Sequence, residues 1–303
     1  MSKSTKWFLV IFGIVALFGV GLLLLFYSAF QSIGESSKEV VTIGRGDKLG
    51  VVDLVGVIES SESVVRQIKK YREDKSIKGI LLHIDSPGGA VVPSQEMYEE
   101  VKKTRDGGKP VVVSMGSLAA SGGYYVACGA SKLVANRGTL TGSIGVIGEF
   151  LQFHDAMDKL GIHAKTIKSG RLKDAGSRTQ PMTEDAEKYF QSLMDDVHRQ
   201  FINVVEDERD LSHALAIDLA DGRVYTGEKA VKLGLVDTIG TFEDAVSIAA
   251  MLAGIDGEPS LVRERERRSW MDRMFGDVSA SVQDLKQTLL QKPMMSYRYA
   301  GPY

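Results

Sequence analysis

Hydrophobic and polar positions alternate along the middle of the chain in blocks whose lengths suit strands and helices. Apolar runs rich in β-branched residues at 49–58, 77–89 and 110–115 predict buried strands, and the second run ends in a Pro-Gly-Gly turn. The segments between them, 62–72 and 93–105, are predicted to be helices. Strands that alternate with helices of this length indicate an α/β fold with a largely parallel sheet.

The second half of the chain repeats this alternation as far as about residue 254. Thr183 is predicted to cap a long amphipathic helix that ends near residue 209, because acidic residues occupy the turn that follows it. The other predicted elements are a short apolar segment at 132–135, a helix at 153–160, a strand at 162–168, a short helix closed by Gly234 and followed by a strand within 228–237, and a helix at 241–254.

Residues 7–30 carry no charged side chain. A helix of this length rises about 36 Å, which is enough to cross a bilayer core, so we expect one transmembrane anchor at 7–30. Lys3 and Lys6 precede it. The positive-inside rule then predicts a cytoplasmic N-terminus at 1–6 and a single-pass protein of the cell membrane whose main domain is extracytoplasmic. A cleaved secretory signal is the alternative, but its apolar stretch is normally only about 7–15 residues long.

The flanks of the main domain differ from it in composition. Residues 31–48 are largely polar and contain glycines, as expected of a linker, and the globular domain is predicted at 49–257. The tail at 258–303 has no assigned role, and its segment 263–276 mixes dense charge with aromatic and methionine side chains. Two interpretations stay open for the tail: a partly ordered segment with a surface helix, or an amphipathic element that docks on a neighbouring subunit or on the membrane.

Composition narrows the possible functions. Lysine and arginine number 37 against 39 aspartates and glutamates, so the chain has no general attraction for nucleic acid, and no nucleic-acid partner is expected. Cys128 is the single cysteine and cannot form an internal disulfide, while five histidines leave little material for a zinc cluster. The sequence has no phosphate-binding Gly-x-x-x-x-Gly-Lys-Ser/Thr loop, so energy-dependent unfolding is not expected of this chain. No metal or other cofactor is expected.

Three segments contain residues that could bind a substrate or react with it. The strand end at 84–89 (IDSPGG) exposes backbone N–H groups where open α/β sheets place ligands, although an ordinary tight turn has the same pattern. In 114–127 (SMGSLAASGGYYVA) a helix is predicted to start near Ser121, which is therefore either a helix cap or a nucleophile at a strand-to-helix turn. The segment 168–183 holds Lys168, Arg171 and Lys173 in a glycine-bounded loop, where solvated surface charge is the simpler interpretation.

A serine nucleophile needs a base. None of the five histidines lies in a recognisable motif, so nothing nominates a Ser-His-Asp triad, although the sequence does not exclude one. Lysine is the known alternative base. A lysine that acts at neutral pH must have its pKa lowered by roughly 3 units, at a cost of about 4 kcal/mol, and therefore needs a dry and mostly uncharged pocket.

Five segments occur in the order and spacing of one protease family. They are IDSPGG at 84–89, SMGSLAASGGYYVA at 114–127, TGSIGVIG at 141–148, SGRLKDAGS at 169–177 and GRVYTGEKAVKLGLVD at 222–237. On these segments the chain resembles signal peptide peptidase A, the protease IV family of membrane-bound serine proteases, in its short single-domain form. The resemblance covers about 49–254 and the N-terminal anchor.

The resemblance implies a role for six residues. Ser121 matches the family's nucleophile, Lys173 matches its general base, and Ser143 matches the serine that orients the lysine amine. The N–H of Gly122 matches one oxyanion donor. The Pro-Gly-Gly turn supplies the other, with Gly89 preferred to Gly88 by analogy with the Clp protease.

The resemblance also implies an architecture and a substrate. The family fold is Clp/crotonase-like, with stacked β-β-α units around a parallel sheet, and family members assemble into homo-oligomeric rings with active sites that face an inner chamber. The implied function is a membrane-anchored endopeptidase with a Ser-Lys dyad that degrades remnant signal peptides and other short or unfolded apolar peptides.

Two other functions are compatible with some of the sequence motifs and with the predicted fold. A crotonase-type enzyme would hold an acyl-CoA thioester with the same two N–H groups, but the anchor argues against a cytoplasmic substrate and Lys173 would have no role. A non-catalytic membrane scaffold that assembles with a stomatin-like partner would leave Ser121 unreactive.

Overall fold

The computed structural model describes residues 38–266 and 295–299, together with Trp7, Gly13, Phe18, Gly19 and Gly21. The chain divides into two compact units, one made of 1–41 and 264–288 and the other of 42–263 and 289–303. The second unit contains all the predicted site residues.

Eleven strands lie in the described ranges, and most belong to one sheet. Their bounds are β1 Lys38–Ile43, β2 Lys48–Val55, β3 Ile77–Ser86, β4 Gly88–Ala90, β5 Val111–Ala120, β6 Lys132–Ala135, β7 Leu140–Gly142, β8 Val224–Thr226, β9 Thr238–Ile239, β10 Ser260–Glu266 and β11 Ser296–Arg298. The strands β10, β2, β3, β5, β6 and β9 are neighbours in that order and run parallel. β7 continues alongside the end of β5, β8 pairs antiparallel with β7, and β11 pairs with β4 in a separate two-stranded sheet.

Helices connect these strands and cover both faces of the sheet. In the residues 38–266 their bounds are α1 Glu62–Glu73, α2 Val91–Asp106, α3 Gly122–Cys128, α4 His154–Lys159, α5 Glu184–Arg209, α6 His213–Leu219, α7 Gly227–Lys232 and α8 Phe242–Leu252. The Thr183 hydroxyl accepts a hydrogen bond from the N–H of Ala186, which confirms the predicted N-cap of α5.

The core has two parts because successive strand residues point to opposite faces of the sheet. Leu81 and Val112 pack with α8 on one face, whereas Leu82 and Val113 belong to the larger cluster on the other face. All four side chains are fully buried. Apolar residues on both faces are typical of a parallel strand covered by helices on each side. The α/β prediction is therefore confirmed, and the mixed sheet fits a Clp/crotonase-like fold.

The predicted strand at 162–168 is wrong. This segment has no regular structure, and Ile167 keeps 91% of its surface exposed. A strand is stable only when a neighbouring strand accepts its backbone hydrogen bonds, and within the described residues no strand lies beside this segment.

The sheet also extends beyond residue 257, where the change in composition placed the end of the domain. Ser260 to Arg263 pair in parallel with Lys48 to Val51. The Arg263 side chain donates to Asp53, with Nε 2.6 Å from Oδ2. A charged residue can therefore lie in this strand because a carboxylate on the neighbouring strand pairs with it.

The predicted anchor at 7–30 lies, apart from five residues, outside the part of the chain that the structure describes. Among the described residues there is no helix that is both long and apolar enough to cross a membrane. The segment 267–294, which includes most of the predicted amphipathic tail element, also lies outside the described residues.

Candidate active site

Three of the five motifs meet at one edge of the sheet. β3, β5 and β7 are parallel neighbours, so their carboxyl ends lie side by side. The Pro-Gly-Gly turn follows β3, Ser121 follows β5, and Ser143 follows β7. The pairing of Ala120 with Gly142 brings the two serines close, and the Ser121 N–H donates to the Gly142 carbonyl at 2.7 Å.

Ser121 is held in a conformation that few residues adopt. Its φ of 54° and ψ of −116° place it at the start of α3, and its side chain is buried, with only 1% of the residue exposed. The Ser121 carbonyl accepts a hydrogen bond from the Tyr125 N–H, while its hydroxyl makes none within the described residues. A strained residue with an unused polar group is costly, and such residues cluster at functional sites.

Glycines face Ser121 because the backbone segments approach too closely for side chains. A Cβ on Gly88 would lie 2.5 Å from the N atom of Gly122, and a Cβ on Gly122 would lie 3.2 Å from the Cα of Gly88. Gly88 also has a φ of 89°, in the left-handed region that glycine tolerates without strain. Two chain segments therefore form one surface of bare backbone beside the serine.

The hydrogen bonds of β4 distinguish Gly89 from Gly88 as a donor. The Gly88 N–H already donates to the Ser86 hydroxyl at 3.1 Å. The Gly88 carbonyl and the Ala90 N–H bind Ile58, on one edge of β4. Since backbone groups alternate along a strand, the N–H of Gly89 points to the opposite edge, where a carbonyl could approach.

Ser143 has the same kind of strained backbone as Ser121. Its φ is 52°, its N–H donates to the Arg223 carbonyl at 2.9 Å, and the residue is buried. It lines a cavity of about 450 Å³ that also involves Asp195, His198 and Asp221. The cavity gives an incoming side chain room to reach the edge of the sheet.

Lys173 is not brought to Ser121 within the single chain. It lies in a turn, with its N–H donating to the Gly170 carbonyl at 3.1 Å, and its side chain is exposed. The unpaired Ser121 hydroxyl shows that no hydrogen bond joins the two residues in the described part of the chain. The neighbouring Lys168 instead pairs with Asp174 at 2.5 Å.

No histidine in the described part of the chain is hydrogen-bonded to Ser121 as a base in place of Lys173. His83 lies in β3 and packs against the ring of Phe242, with ring centroids 5.7 Å apart. His198 lines the cavity beside Ser143, and its Nε2 atom is buried without a partner among the described residues, but no hydrogen bond links it to Ser121. The sequence motifs did not single out His198 because it lies within the regular amphipathic pattern of α5.

Two further features of the site were not predicted. Ser86 positions the turn through its bond to Gly88, and the IDSPGG motif that contains it was the available signal. β11 also lies against β4 at the site. Its sequence has no periodic pattern that could have indicated a strand.

A buried serine at a strand-to-helix turn, beside the backbone N–H groups of neighbouring glycines, is the arrangement found in serine hydrolases. Known sequences identify the family. The Peptidase family S49 profile matches residues 103–256. A candidate protease of Synechocystis sp. is 41% identical over 69% of this chain and 76% of its own length. A candidate signal peptide peptidase SppA of Enterococcus faecium is 32% identical over 88% and 79%, and Protease 4 of Salmonella typhi is 35% identical over 78% and 38%.

The chain therefore belongs to Peptidase family S49 and is a serine peptidase. The resemblance to the signal peptide peptidase A and protease IV family is confirmed by the names of these relatives.

Proposed function

We propose that this protein is a membrane-anchored serine endopeptidase in which Ser121 is the nucleophile and Lys173 the general base. The observation that carries the proposal is the strained backbone of Ser121, whose buried hydroxyl makes no hydrogen bond within the described residues and faces Gly88 and Gly122. The relative from Enterococcus is named for signal peptides. We extend that substrate class to this chain.

The proposed mechanism follows from these positions. The uncharged Lys173 amine takes the proton from the Ser121 hydroxyl, and the oxygen attacks a peptide carbonyl. The developing oxyanion is stabilised by the N–H groups of Gly122 and Gly89. Lys173 then protonates the leaving amine, and water repeats the cycle to release the acid.

Assembly of subunits is the proposed source of the dyad. Lys173 is exposed in the single chain, yet a lysine base requires a dry pocket. The cavity beside Ser143 has the room for such an amine, and the Ser143 hydroxyl would hold it in place. A homo-oligomeric ring brings the exposed loop of one subunit to the cavity of the next, which excludes water from the amine.

The proposed substrates are short or unfolded apolar peptides near a membrane. An extended peptide can pair with β4 in place of β11, and a folded protein cannot present an extended segment. The uncharged run at 7–30 would tether the enzyme to the bilayer, with residues 1–6 in the cytoplasm and the peptidase domain outside.

Substitution of Lys173 tests the dyad directly. We expect Lys173→Ala to lower kcat on an apolar fluorogenic peptide at pH 8 by about 10²- to 10⁴-fold, since a positioned base contributes that much. Lys165→Ala is the matched control. Lys165 is an exposed lysine of the same segment, 160–183 between α4 and α5, which we call the arm, and its substitution should leave kcat unchanged. Full residual turnover in Lys173→Ala would end the dyad assignment.

A further inference from the structure

Strand β5 contains a bulge in its second half. Ile84 of β3 pairs with Met115 of β5, but the next pair between these strands is Ser86 with Ala119. β3 therefore advances by two residues where β5 advances by four, and the extra residues lie within 116–118. Bulges bend a strand and are over-represented next to active sites, where they redirect a side chain.

The bulge is also where β5 changes its partner on the side away from β3. Met115 pairs with Ala135 of β6, whereas Leu118 pairs with Leu140 of β7. Between these two pairs, β5 has no partner strand within the described residues. A strand slips along its neighbours in whole residues, and each residue advances it by about 3.3 Å. A slip at the bulge would carry Ser121 with it.

The Asp85 side chain holds the bulge in place. Its Oδ1 atom accepts a hydrogen bond from the Leu118 N–H at 3.0 Å. A Cβ on Gly116 would lie 3.0 Å from the Asp85 Cγ, so the carboxyl group packs directly against the backbone of the bulge. The Asp85 backbone carbonyl accepts from the Gly56 N–H at 3.0 Å, just after β2. One residue therefore fixes the bulge relative to two other strands.

Two threonine hydroxyls bond to the same part of β5. Thr139 donates to the Gly116 carbonyl at 2.7 Å, and Thr141 donates to the Ala119 carbonyl at 2.6 Å. Both threonines are buried. The threonines thus supply donors to the bulge, and Asp85 supplies the acceptor that its N–H group needs.

The pairing after the bulge decides where the proposed nucleophile meets the oxyanion donors. Ser86 lies opposite Ala119, and two residues further along each strand lie Gly88 and Ser121. A Cβ on Gly88 would lie 2.5 Å from the N atom of Gly122, which shows how closely the two segments approach. Misplacement of a reacting group by about 1 Å can lower turnover by about 10²-fold. A loosened bulge would therefore slow the reaction without removing a group that touches the substrate.

We infer that Asp85 is a positioning residue, whose carboxyl group fixes the bulge of β5 and thereby sets Ser121 against the N–H groups of Gly122 and Gly89. The inference rests on the proposed function for the role of Ser121. It gives a role to the aspartate of the IDSPGG motif, which takes no part in the proposed dyad or among the oxyanion donors.

Two substitutions at Asp85 test the inference by steady-state kinetics. Asp85→Ala removes the acceptor and should lower kcat on an apolar fluorogenic peptide by about 10- to 100-fold, with KM changed by less than about twofold, since β4 is untouched. Asp85→Asn keeps an oxygen acceptor and should retain at least about a third of the wild-type kcat. A wild-type kcat in Asp85→Ala, or an equal loss in both variants, would overturn the inference.

Asp244→Ala separates positioning from a loss of stability. The Asp244 carboxylate also accepts from a backbone N–H, that of Thr241 at 2.7 Å, where it caps α8. α8 packs on the face of the sheet opposite to α3. This variant should melt at a lower temperature and keep the wild-type kcat. If its kcat falls as far as that of Asp85→Ala, lost stability explains both results and the inference fails.

Amide hydrogen exchange tests the positioning without turnover. Mass spectrometry of the fragment that contains Leu118 should show its N–H exchanging at least about tenfold faster in Asp85→Ala than in wild type, because the hydrogen bond is lost. Asp85→Asn should exchange at close to the wild-type rate. An unchanged rate in Asp85→Ala would overturn the inference.

Labelling of Ser121 by a serine-reactive phosphonate separates this inference from the proposed function. If the wild-type chain is labelled, slower labelling of Asp85→Ala supports both, and equally fast labelling overturns the inference alone. If the wild-type chain is neither labelled nor active while the exchange of Leu118 still depends on Asp85, the proposed function fails and the assignment of Asp85 to the bulge stands.

Discussion

The two halves of the proposed dyad lie in very different surroundings. Ser121 is buried, and its backbone is bonded to Gly142 and Tyr125 on neighbouring elements. Lys173 is exposed in a turn of an arm that has little regular structure. The nucleophile and its glycines are thus built by the fold of one chain, whereas the base is presented to the outside.

The strained backbone of Ser121 and an uncharged amine at Lys173 must be stabilised in different ways. The strain at Ser121 is supported by packing and by hydrogen bonds that form whenever the chain folds. A dry lysine has a desolvation cost that this arm does not offset within one chain. Ser121 can therefore be held in its reactive conformation in a monomer, whereas Lys173 can act as a base only when another surface covers the arm and excludes water.

The largest expected effect comes from removing the nucleophile. Ser121→Ala should lower kcat by at least about 10⁴-fold, since the oxyanion donors and binding alone remain. Labelling by a serine-reactive phosphonate, followed by mass spectrometry, should disappear in the same variant. Ser247→Ala changes an exposed serine of α8 and should keep both activity and labelling. A turnover in Ser121→Ala that matches wild type would place the reaction elsewhere.

Mixing two inactive variants tests whether the halves come from different subunits. A ring reassembled from equal amounts of Ser121→Ala and Lys173→Ala chains should recover about a quarter of wild-type activity, because each site then draws its serine and lysine from independent subunits. Each variant reassembled alone is the control. If both residues must come from one chain, the mixture stays inactive, and the arm must move within its own subunit.

Replacing Gly88 by a larger residue should disturb the oxyanion donors beside Ser121 and leave Lys173 unaffected. Gly88→Ala should lower kcat by about 10²- to 10³-fold, because its Cβ would force Gly122 away from the oxyanion position. Gly138→Ala is the matched control, since a Cβ there meets nothing within 4 Å and its φ is not positive. Steady-state kinetics and thermal melting of both variants check this. Equal kinetics for the two would contradict the proposed role of the turn.

A smaller effect concerns the charges that join α2 to α5. Glu208 of α5 accepts from Arg105 at 2.6 Å, Lys102 at 2.5 Å and Tyr98 at 2.7 Å. Burial opposes its ionisation, but these hydrogen bonds prevail and lower the pKa of Glu208 to about 2. Because the folded pKa lies below the unfolded value, this stabilisation is complete above about pH 4.5 and is lost as the pH falls towards 2.

Glu208→Gln should therefore lower the free energy of unfolding at pH 7 by about 1–3 kcal/mol. The difference from wild type should shrink as the pH falls from about 5 towards 2. Asp185→Asn is the control, because Asp185 pairs with Arg171 on the exposed arm, where ion pairs contribute about 0–1 kcal/mol. Urea unfolding curves at several pH values measure both. A pH-independent difference would show that the Glu208 charge contributes nothing.

Sequence reasoning was sufficient where neighbouring residues decide the structure. Thr183 caps its helix through a side-chain bond three residues away, and Ser121 lies at the predicted strand-to-helix turn. It failed at 162–168, because β-propensity does not provide a neighbouring strand. It also missed β11, where Tyr297 is buried by rings that lie about 100 and 170 positions earlier in the chain.

The amino-acid sequence by itself determined the α/β class, the family and the segments that carry the chemistry, because periodicity and short motifs depend on residues close together in the chain. Only the tertiary structure decided that Ser121, Ser143 and the Pro-Gly-Gly turn share one edge of the sheet, that Lys173 stays exposed in one chain, and that Tyr297 pairs with Gly89. These relations depend on strand order and on burial, which arise from contacts between residues far apart in the sequence.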